Sequence, residues 1–326
     1  MRLLTPLVLL VLALFIAALL IGPAGIGPVE SLRALIFGGE GPIPLVMREI
    51  RLPRAILAAL IGGGLGLSGA ALQGYLRNPL ADPGLIGVSG SAAVGAILAL
   101  QTGVAALATL ALPAAAMTGA VVGVLLVLVL AGARGSSLTL ILAGIAISAL
   151  AGALTSLVLN LSPNPFAASE IVFWMMGSLA DRSMTHVWIA LPFVVAGAAM
   201  LATLARGLDA LTLGEDAAEA MGINLRQLRL TLVLGVAAIV GASTAVAGAI
   251  GFVGLVVPHI LRGFVGGRPG ALLWASTLGG AAMLLLADIA VRVVLPARDL
   301  KLGVLTALVG APLFLHLIYR TRRAGL

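Results

Sequence analysis

The sequence predicts an all-α polytopic membrane protein. Its 326 residues are 61% hydrophobic and 10% charged, and the mean hydropathy is +1.20. Apolar runs recur along the chain, and at about 1.5 Å per helical residue many of them can cross ~30 Å of hydrocarbon. Because lipid cannot pair with backbone N–H and C=O groups, such runs must be helical. These observations exclude a soluble globular fold and predict one transmembrane domain over residues 1–326.

Ten membrane helices account for the apolar runs. They are expected near 3–22, 55–76, 88–110, 112–132, 138–160, 187–206, 229–249, 256–266, 271–294 and 302–319. The first, Leu3–Ile21, is not followed by a small-x-small cleavage site, so we expect an uncleaved span. The eighth is short, contains Pro258 and follows several glycines, which predicts a broken or re-entrant helix buried in protein. The spacing of Gly62 and Gly66 favours close helix packing in lipid.

Orientation follows from the number of helices and from the basic tail. An even number places both termini on one face, and the tail RTRRAGL indicates that this face is cytoplasmic. The long connections 22–54 and 162–186 are then external, and the loop 207–228 is cytoplasmic. Arginines that flank the helices account for the net charge of +7, so this charge does not predict nucleic-acid binding.

Several arginines nevertheless fall on the predicted external face. Arg51 and Arg54 flank Pro53 at the start of the second helix, and Arg292 lies at the outer end of the ninth. Two explanations remain open at this point. The orientation bias tolerates a minority of outliers, or these side chains bind an acidic partner through forked contacts with carboxylates. Asp288 lies four residues before Arg292, which predicts a local ion pair on one helix face.

The stretch LTLGEDAAEAMGIN, Leu211–Asn224, predicts a short acidic helix in the cytoplasmic loop. Thr212 and Glu215 have the spacing of a capping box. Gly222 can end this helix, and Asn224 can cap the next one. Its small apolar face would comprise Leu213, Ala217, Ala220 and Met221. Because anionic headgroups repel the acids, we expect the helix to dock into another cytoplasmic protein rather than to lie on lipid.

Two other functional classes are weakly indicated. The motif GLSG places Ser68 in a pattern that intramembrane serine hydrolases use, yet none of the three histidines has a readable relation to it. A proton-coupled secondary transporter needs a carboxylate deep in the bilayer, whereas Asp288 is expected near the surface beside Arg292. The chain has no cysteine, and its histidines lack metal-ligand spacing, so no metal site is predicted.

Seven segments occur in an order that is typical of one family. They are RLPR (51–54), SGAALQGYLRNPLADPGLIGVSGSA (68–92), FWMMGSL (173–179), LGEDAAEAMGI (213–223), GAIGFVGLVVPHILR (248–262), LLLADIAVR (284–292) and LGVLTALVGAPLFLHLI (302–318). On these segments the chain resembles the FecCD-type, or type II, permeases of ABC importers, which take up iron siderophores, haem and cobalamin. The resemblance implies ten helices per subunit in inverted-repeat halves and a homodimer with the pathway on its axis. It also implies two ABC ATPase subunits, a periplasmic substrate-binding protein and a place in the bacterial cytoplasmic (inner) membrane.

The resemblance further assigns roles to residues of this chain. ATPase coupling would involve Leu213, Gly214, Glu215, Asp216, Ala217, Ala218, Glu219, Ala220, Met221 and Gly222. Arg51, Arg54 and Arg292 would bind glutamates on the two lobes of the binding protein. Met175 and Met176 are candidate pathway or gate residues. The chain contains no GxxxxGK(S/T) sequence, so ATP and Mg would bind the partner ATPase, and no cofactor or enzymatic activity is expected here.

Overall fold

A computed structural model describes residues 3–132, 137–162, 165–294 and 300–323. These residues are mainly helical, and no β-strand occurs among them. The end of the basic tail, residues 324–326, lies outside the described ranges. The prediction of an all-α fold is confirmed.

Fifteen α-helices form within the described ranges. They are α1 (Leu4–Leu20), α2 (Pro28–Phe37), α3 (Pro42–Leu45), α4 (Leu52–Tyr75), α5 (Val88–Gln101), α6 (Ala111–Ala131), α7 (Ser137–Asn160), α8 (Pro165–Met175), α9 (Met184–Thr203), α10 (Ala205–Leu211), α11 (Glu215–Ala220), α12 (Leu225–Ala247), α13 (Val253–Arg262), α14 (Pro269–Val294) and α15 (Leu302–Arg323). A π-helical segment, Val46–Arg51, runs directly from α3 into α4. The two long connections therefore contain helices of their own, α2 and α3 in the first and α8 in the second.

Each of the ten predicted spans coincides with one of these helices. Six are long and apolar enough to cross a membrane, namely α4 together with the residues from Pro42 onward, α6, α7, α9, α12 and α14. The other four coincide with shorter apolar stretches of 10–17 residues, namely α1, α5, Val253–Val265 with α13, and Leu302–His316 within α15. The largest difference is in α5, which ends at Gln101 rather than near residue 110 because a 3₁₀ turn follows at Val104–Ala106.

The eighth predicted span is broken, as expected. After α12 ends, Gly248 has a φ of +72° and Phe252 a φ of +68°, so the chain leaves the helical path before α13 begins. α13 has ten residues and carries Pro258 in its interior. It packs against α4 and α14, so the backbone N–H and C=O groups that lack helical partners lie within protein rather than in lipid.

The centre of the molecule is the contact between α4 and α14. A methyl group at Gly66 would lie 2.1 Å from the carbonyl oxygen of Ser276, and one at Gly280 would lie 2.1 Å from that of Gly62. Both distances are far below van der Waals contact, so only glycine lets the two backbones approach this closely. The predicted Gly62 and Gly66 pair therefore lies at the main helix contact.

The predicted ATPase-coupling loop and the predicted docking arginines lie at opposite ends of the bundle. α9 leads into the loop that carries α10 and α11, and α12 leads away from it. α14 begins at the same end, where the Gly270 N–H donates to Asp209 Oδ1 at 2.8 Å. α14 has 26 residues, a length of about 39 Å, so Arg292 near its C-terminus lies at the other end. These are called the loop end and the arginine end below.

Candidate functional site

The loop end carries the predicted acidic helix, α11. Glu215 and Asp216 occupy its first turn, where the helix dipole favours negative charge. The predicted capping box is wrong, because Gly214 is the N-cap residue and makes no side-chain cap. Thr212 still has helical backbone angles at the end of α10, and its hydroxyl donates to the Asp209 carbonyl oxygen at 2.6 Å.

The end of α11 and the start of α12 follow the prediction. Gly222 has a φ of +83°, and the Ile223 N–H donates to the Ala218 carbonyl oxygen at 3.0 Å, which closes the helix. Asn224 Oδ1 accepts from the Gln227 N–H at 3.0 Å and caps α12. Two capped helices with a tight turn between them make the loop a defined shape rather than a flexible linker.

The outer face of α11 combines acids with large apolar side chains. Its three acids are exposed: Glu215, Asp216 and Glu219. Leu213 is 69% exposed and Met221 is 62% exposed. Of the other predicted apolar residues, Ala220 is exposed and Ala217 is half-buried, whereas Ala218 is fully buried against the rest of the protein. Exposed apolar anchors among charges are typical of a docking surface.

Two contacts attach this loop to the membrane helices. Asp209 in α10 accepts the Gly270 N–H at the start of α14. Gly207 packs on α12, where a methyl group would lie 2.4 Å from Leu228 Cδ1. Both contacts are made by α10, so they connect the loop that carries α11 to α12 and α14 as well as to α9.

At the arginine end, two arginines cap the C-terminus of α1. Arg51 Nη1 donates to the carbonyl oxygens of Leu19 and Leu20 at 2.9 and 3.0 Å. Arg292 Nη1 donates to those of residues 18 and 21 at 2.7 and 3.1 Å. The last carbonyls of a helix have no intrahelical partner and carry partial negative charge. The two guanidinium groups satisfy four of them.

Asp288 joins two of the three arginines. Its side chain is fully buried, Oδ1 accepts from Arg54 Nε at 2.7 Å, and Oδ2 accepts from Arg292 Nε at 3.0 Å and also from Arg292 Nη2. The predicted pair of Asp288 and Arg292 is confirmed. The contact with Arg54 joins α4 to α14 and has no local signal in the sequence. One carboxylate thus neutralises part of the charge of a cluster of three arginines, Arg51, Arg54 and Arg292.

The docking role of these arginines stays a prediction, and their burial limits how they can perform it. Arg51 is 4% exposed, Arg292 is 8% exposed, and the side chain of Arg54 is 16% exposed. A partner carboxylate must therefore compete with Asp288 or with the α1 carbonyls, or else respond to the positive potential of the whole cluster.

Met175 and Met176 line a concavity of about 660 Å³. Its other walls are the break between α12 and α13, including Phe252, and one face of α15, including Leu308. The walls are almost entirely apolar, and Met176 is 38% exposed. The role of the two methionines as a gate stays a prediction.

Backbone contacts hold the walls of this concavity together. The Ser178 N–H donates to the Ala247 carbonyl oxygen at 2.7 Å, and the Gly303 N–H donates to that of Gly177 at 3.2 Å. These bonds join the turn after α8, the end of α12 and the start of α15. The turn that follows the two methionines is therefore hydrogen-bonded to both α12 and α15.

A buried polar node at Gln73 was missed by the sequence analysis. Its Nε2 donates to the carbonyl oxygens of Ala81, Gly254 and Leu255 at 3.2–3.3 Å. Its Oε1 accepts from Arg262 Nη2 at 2.9 Å. The node ties α4 to the turn that follows it and to both ends of α13. A single amide inside the apolar run GAALQGY was the available signal.

The chain is similar in sequence to a known transport family and to several ABC transporter permeases. Residues 9–320 match the FecCD transport family. The uncharacterized ABC transporter permease YvrB of Bacillus subtilis is 39% identical over 285 residues, 86% of this chain and 80% of YvrB. The Fe(3+) dicitrate transport system permease FecD of Escherichia coli is 35% identical over 280 residues, 85% of this chain and 86% of FecD. The vitamin B12 import system permease BtuC of Salmonella paratyphi A is 38% identical over 324 residues, 99% of this chain and 96% of BtuC.

A solved structure supports the same assignment. It is an inward-facing metal-chelate type ABC transporter that matches with a TM-score of 0.85 and 33% identity. The match covers 98% of this chain and 99% of that chain. Together with the family match, this similarity establishes the type II fold. The chain therefore belongs to the FecCD transport family and is a membrane-embedded ABC transporter permease.

Proposed function

We propose that this chain is the permease subunit of an ATP-driven importer that carries a bulky iron chelate or cobalamin into the cytoplasm by alternating access. A homodimer of the chain would enclose the pathway, with two ABC ATPases on the cytoplasmic face and a substrate-binding protein on the periplasmic face. Both termini would lie in the cytoplasm. If the chain instead pairs with a paralogous permease, it would still use the same surfaces to contact the ATPases and the substrate-binding protein.

The observation that carries the proposal is the exposed, capped and anchored helix α11. Its acids and the exposed side chains of Leu213 and Met221 offer a surface to a cytoplasmic protein. The contacts of Gly207 and Asp209 in the preceding helix, α10, would pass a displacement of the loop to the membrane helices. An ATPase that binds α11 could therefore change the relative positions of α9, α12 and α14. For ATP to drive transport, ATP binding and binding-protein docking must each stabilise a different conformation of the permease dimer.

The arginine end would receive the substrate-binding protein. Arg51, Arg54 and Arg292 supply positive charge there, and Asp288 offsets part of it. Acidic residues on the binding protein would be attracted by this charge, most strongly at low ionic strength.

The cargo class rests on the relatives and on the concavity beside Met175 and Met176. FecD belongs to a ferric dicitrate system and BtuC to a vitamin B12 system, and both cargoes are bulky chelates. A large, apolar and open surface suits such ligands without strong binding. Siderophores and haem belong to the same size class, so the binding protein would set the selectivity.

Neither rival function gains a supporting observation. Ser68 is fully buried, and its Oγ has no hydrogen-bond partner among the described residues. His186 Nδ1 accepts instead from the Ser183 N–H at the start of α9. Asp288 accepts hydrogen bonds from two arginines, Arg54 and Arg292, and so forms part of an ion-pair cluster. The intramembrane serine hydrolase and the proton-coupled carrier are therefore not proposed.

Purification in mild detergent from native membranes tests the proposal. The tagged chain should be recovered with a nucleotide-binding subunit in stoichiometric amount, and a periplasmic fraction should stimulate the ATPase activity. Mass spectrometry of the stimulating binding protein and its bound ligand would name the cargo. Recovery of the chain alone, without ATPase activity, under conditions that preserve other ABC complexes would contradict the proposal.

A further inference from the structure

A small cavity of about 160 Å³ lies beside the break between α12 and α13 and is called the inner cavity below. Its walls come from Leu65 in α4, the turn 82–84, Ser89 near the start of α5, Val240 in α12 and the break itself. The break also forms a wall of the concavity beside Met176. The inner cavity has no place in the roles discussed above.

The inner cavity and the concavity share part of their walls. Ala249, Gly251 and Phe252 line both spaces. Alanine carries only a methyl group and glycine has no side chain, so the phenyl ring of Phe252 is by far the largest side chain in the shared wall. Where the two spaces meet, this one partly buried ring is therefore the main side-chain barrier.

The side chain of Phe252 packs directly on the backbone of α15. A methyl group at Gly310 would lie 2.5 Å from Phe252 Cβ and Cγ, so any other residue at this position would displace the aromatic side chain. Pro312 follows two residues later inside α15, where it removes a hydrogen bond from the helical ladder. Prolines are the usual sites of helix bending, so α15 can bend close to its contact with the ring.

The backbone of Phe252 is strained. Its φ of +68° lies in the left-handed region, which a bulky residue rarely adopts. Its carbonyl oxygen accepts from the N–H groups of Leu255 and Val256 at 3.2 and 2.8 Å, and this fixes Phe252 as the N-cap residue of α13. Strain of this kind persists only where surrounding contacts impose it, and it is concentrated at switches and ligand clamps. The contact with Gly310 is one of those that hold the residue in place.

We propose that Phe252 is a gate between the concavity and the inner cavity, and that α15 holds this gate closed. The inference rests on the proposed transport function, which requires a passage that opens and closes. When α15 moves away, the ring loses its support at Gly310 and turns aside, and the two spaces become one. Asp82 and Ser89 then form the polar far side of a path whose near side is apolar.

Thiol labelling of the permease alone provides the first test. The chain has no cysteine, so Ser89→Cys places a single thiol in the inner cavity. The purified chain in lipid nanodiscs is treated with a small cationic methanethiosulfonate reagent, and slow labelling is expected. Adding Phe252→Ala should raise the rate about tenfold or more, because no ring has to move before the reagent passes. Phe252→Leu keeps a bulky side chain and should label at close to the original slow rate.

Phe193→Ala is the matched control for the loss of a phenyl ring. Phe193 is 41% exposed on α9 and lines neither space. Its truncation should leave the labelling of Ser89→Cys unchanged, so a general loosening of the fold cannot mimic the effect of Phe252→Ala. Fast labelling with Phe252 intact, or the same rate in Phe252→Ala, would show that this ring does not separate the two spaces and would overturn the proposal.

The second test uses the complex with its ATPase. Ser89→Cys should label at different rates in the nucleotide-free and the vanadate-trapped complex, because the gate opens in only one of these states. Equal rates would make Phe252 a fixed wall and would also overturn the proposal. Failure of the transport function itself would be seen separately, as recovery of the chain without an ATPase, and would leave the rates measured on the permease alone as they are.

Discussion

At the scale of single residues, Asp288 determines how the arginine end is held together. It is the fully buried carboxylate that accepts from Arg54 on one helix and from Arg292 on its own. Removing one partner of a buried ion pair leaves the other charge without compensation, which typically costs about 3–5 kcal/mol. Asp288→Asn should therefore lower the thermal unfolding temperature of the purified permease markedly.

A matched variant separates this effect from simple charge loss. Glu49 is exposed at the same end, so Glu49→Gln should change the unfolding temperature little. In a double-mutant cycle, adding Arg54→Gln to Asp288→Asn should cost less than the sum of the two single effects. Strict additivity, or equal unfolding temperatures for Asp288→Asn and Glu49→Gln, would count against a role of the ion pair.

Asp82 allows a prediction of pH dependence. Its carboxylate accepts the Gly84 N–H at 2.7 Å, while burial raises the pKa of this group despite that bond. The folded state therefore binds the proton more tightly than the unfolded chain, and stability falls as the pH rises from the ordinary aspartate range through the raised pKa. Asp82→Asn keeps the acceptor and removes the charge. It should be at least as stable as the wild type at neutral pH.

The measurement for Asp82 is the unfolding temperature as a function of pH. The advantage of Asp82→Asn should shrink as the pH is lowered into the acidic range, because the wild-type carboxyl becomes protonated. Asp216→Asn, at an exposed position of α11, serves as the reference variant. A lower stability of Asp82→Asn at every pH would show that the carboxylate is needed as an anion.

Residue-level prediction from the sequence succeeded where the partner is near in the chain. The pair of Asp288 and Arg292 follows from helical spacing. The contact of Asp288 with Arg54 spans 234 positions, and only the packing of α4 on α14 creates it. The capping box at Thr212 failed because α10 continues to Leu211, so the hydroxyl remained in the preceding helix.

At the scale of elements, α11 is the segment whose surface matters most for the proposed complex. Reversing its charge with Glu215→Arg and Glu219→Arg leaves the buried Ala218 contact intact. If an ATPase binds this surface, its affinity should fall by about tenfold or more, because like charges would face each other across the interface. The measurement is the amount of ATPase subunit recovered with the tagged permease.

The control for α11 uses exposed acids on the other side of the molecule. Glu30→Arg with Glu40→Arg introduces the same charge change in the first long connection. This pair should leave ATPase recovery unchanged, and all variants should insert into the membrane normally. Normal recovery and transport with the reversed α11 would contradict the coupling role.

The packing of α4 on α14 gives a second prediction for elements. A methyl group at Gly66 would lie 2.1 Å from the Ser276 carbonyl oxygen, so Gly66→Ala must push the helices apart. Overpacking of this kind costs about 1–3 kcal/mol. Gly152 lies in α7 with nothing within 4 Å of its Cβ position, so Gly152→Ala should be tolerated. The two unfolding temperatures should differ, and equal values would contradict the close approach.

The elements themselves were largely predictable from hydropathy, whereas their ends were not. All ten predicted positions carry a helix, and the break before α13 follows from its glycines and Pro258. The short helices α2, α3 and α8 escaped prediction because tertiary packing, rather than a long apolar run, stabilises them. The end of α5 at Gln101 also escaped prediction, because the apolar run continues beyond the end of the helix.

At the scale of the whole molecule, alternating access requires that the concavity beside Met176 changes its exposure during the ATPase cycle. Met176 is 38% exposed, and backbone hydrogen bonds tie its segment to α12 and α15, so a displacement of α12 at the loop end should reach it.

The chain has no cysteine, so Met176→Cys introduces a single reactive thiol. Its modification rate with a membrane-impermeant maleimide should differ between the nucleotide-free and the vanadate-trapped complex. Val29→Cys, exposed on α2 in the first long connection and away from this concavity, should react at the same rate in both states. Equal rates for Met176→Cys in both states would mean that the methionines line a static surface, and the gate would then have to be sought along α15.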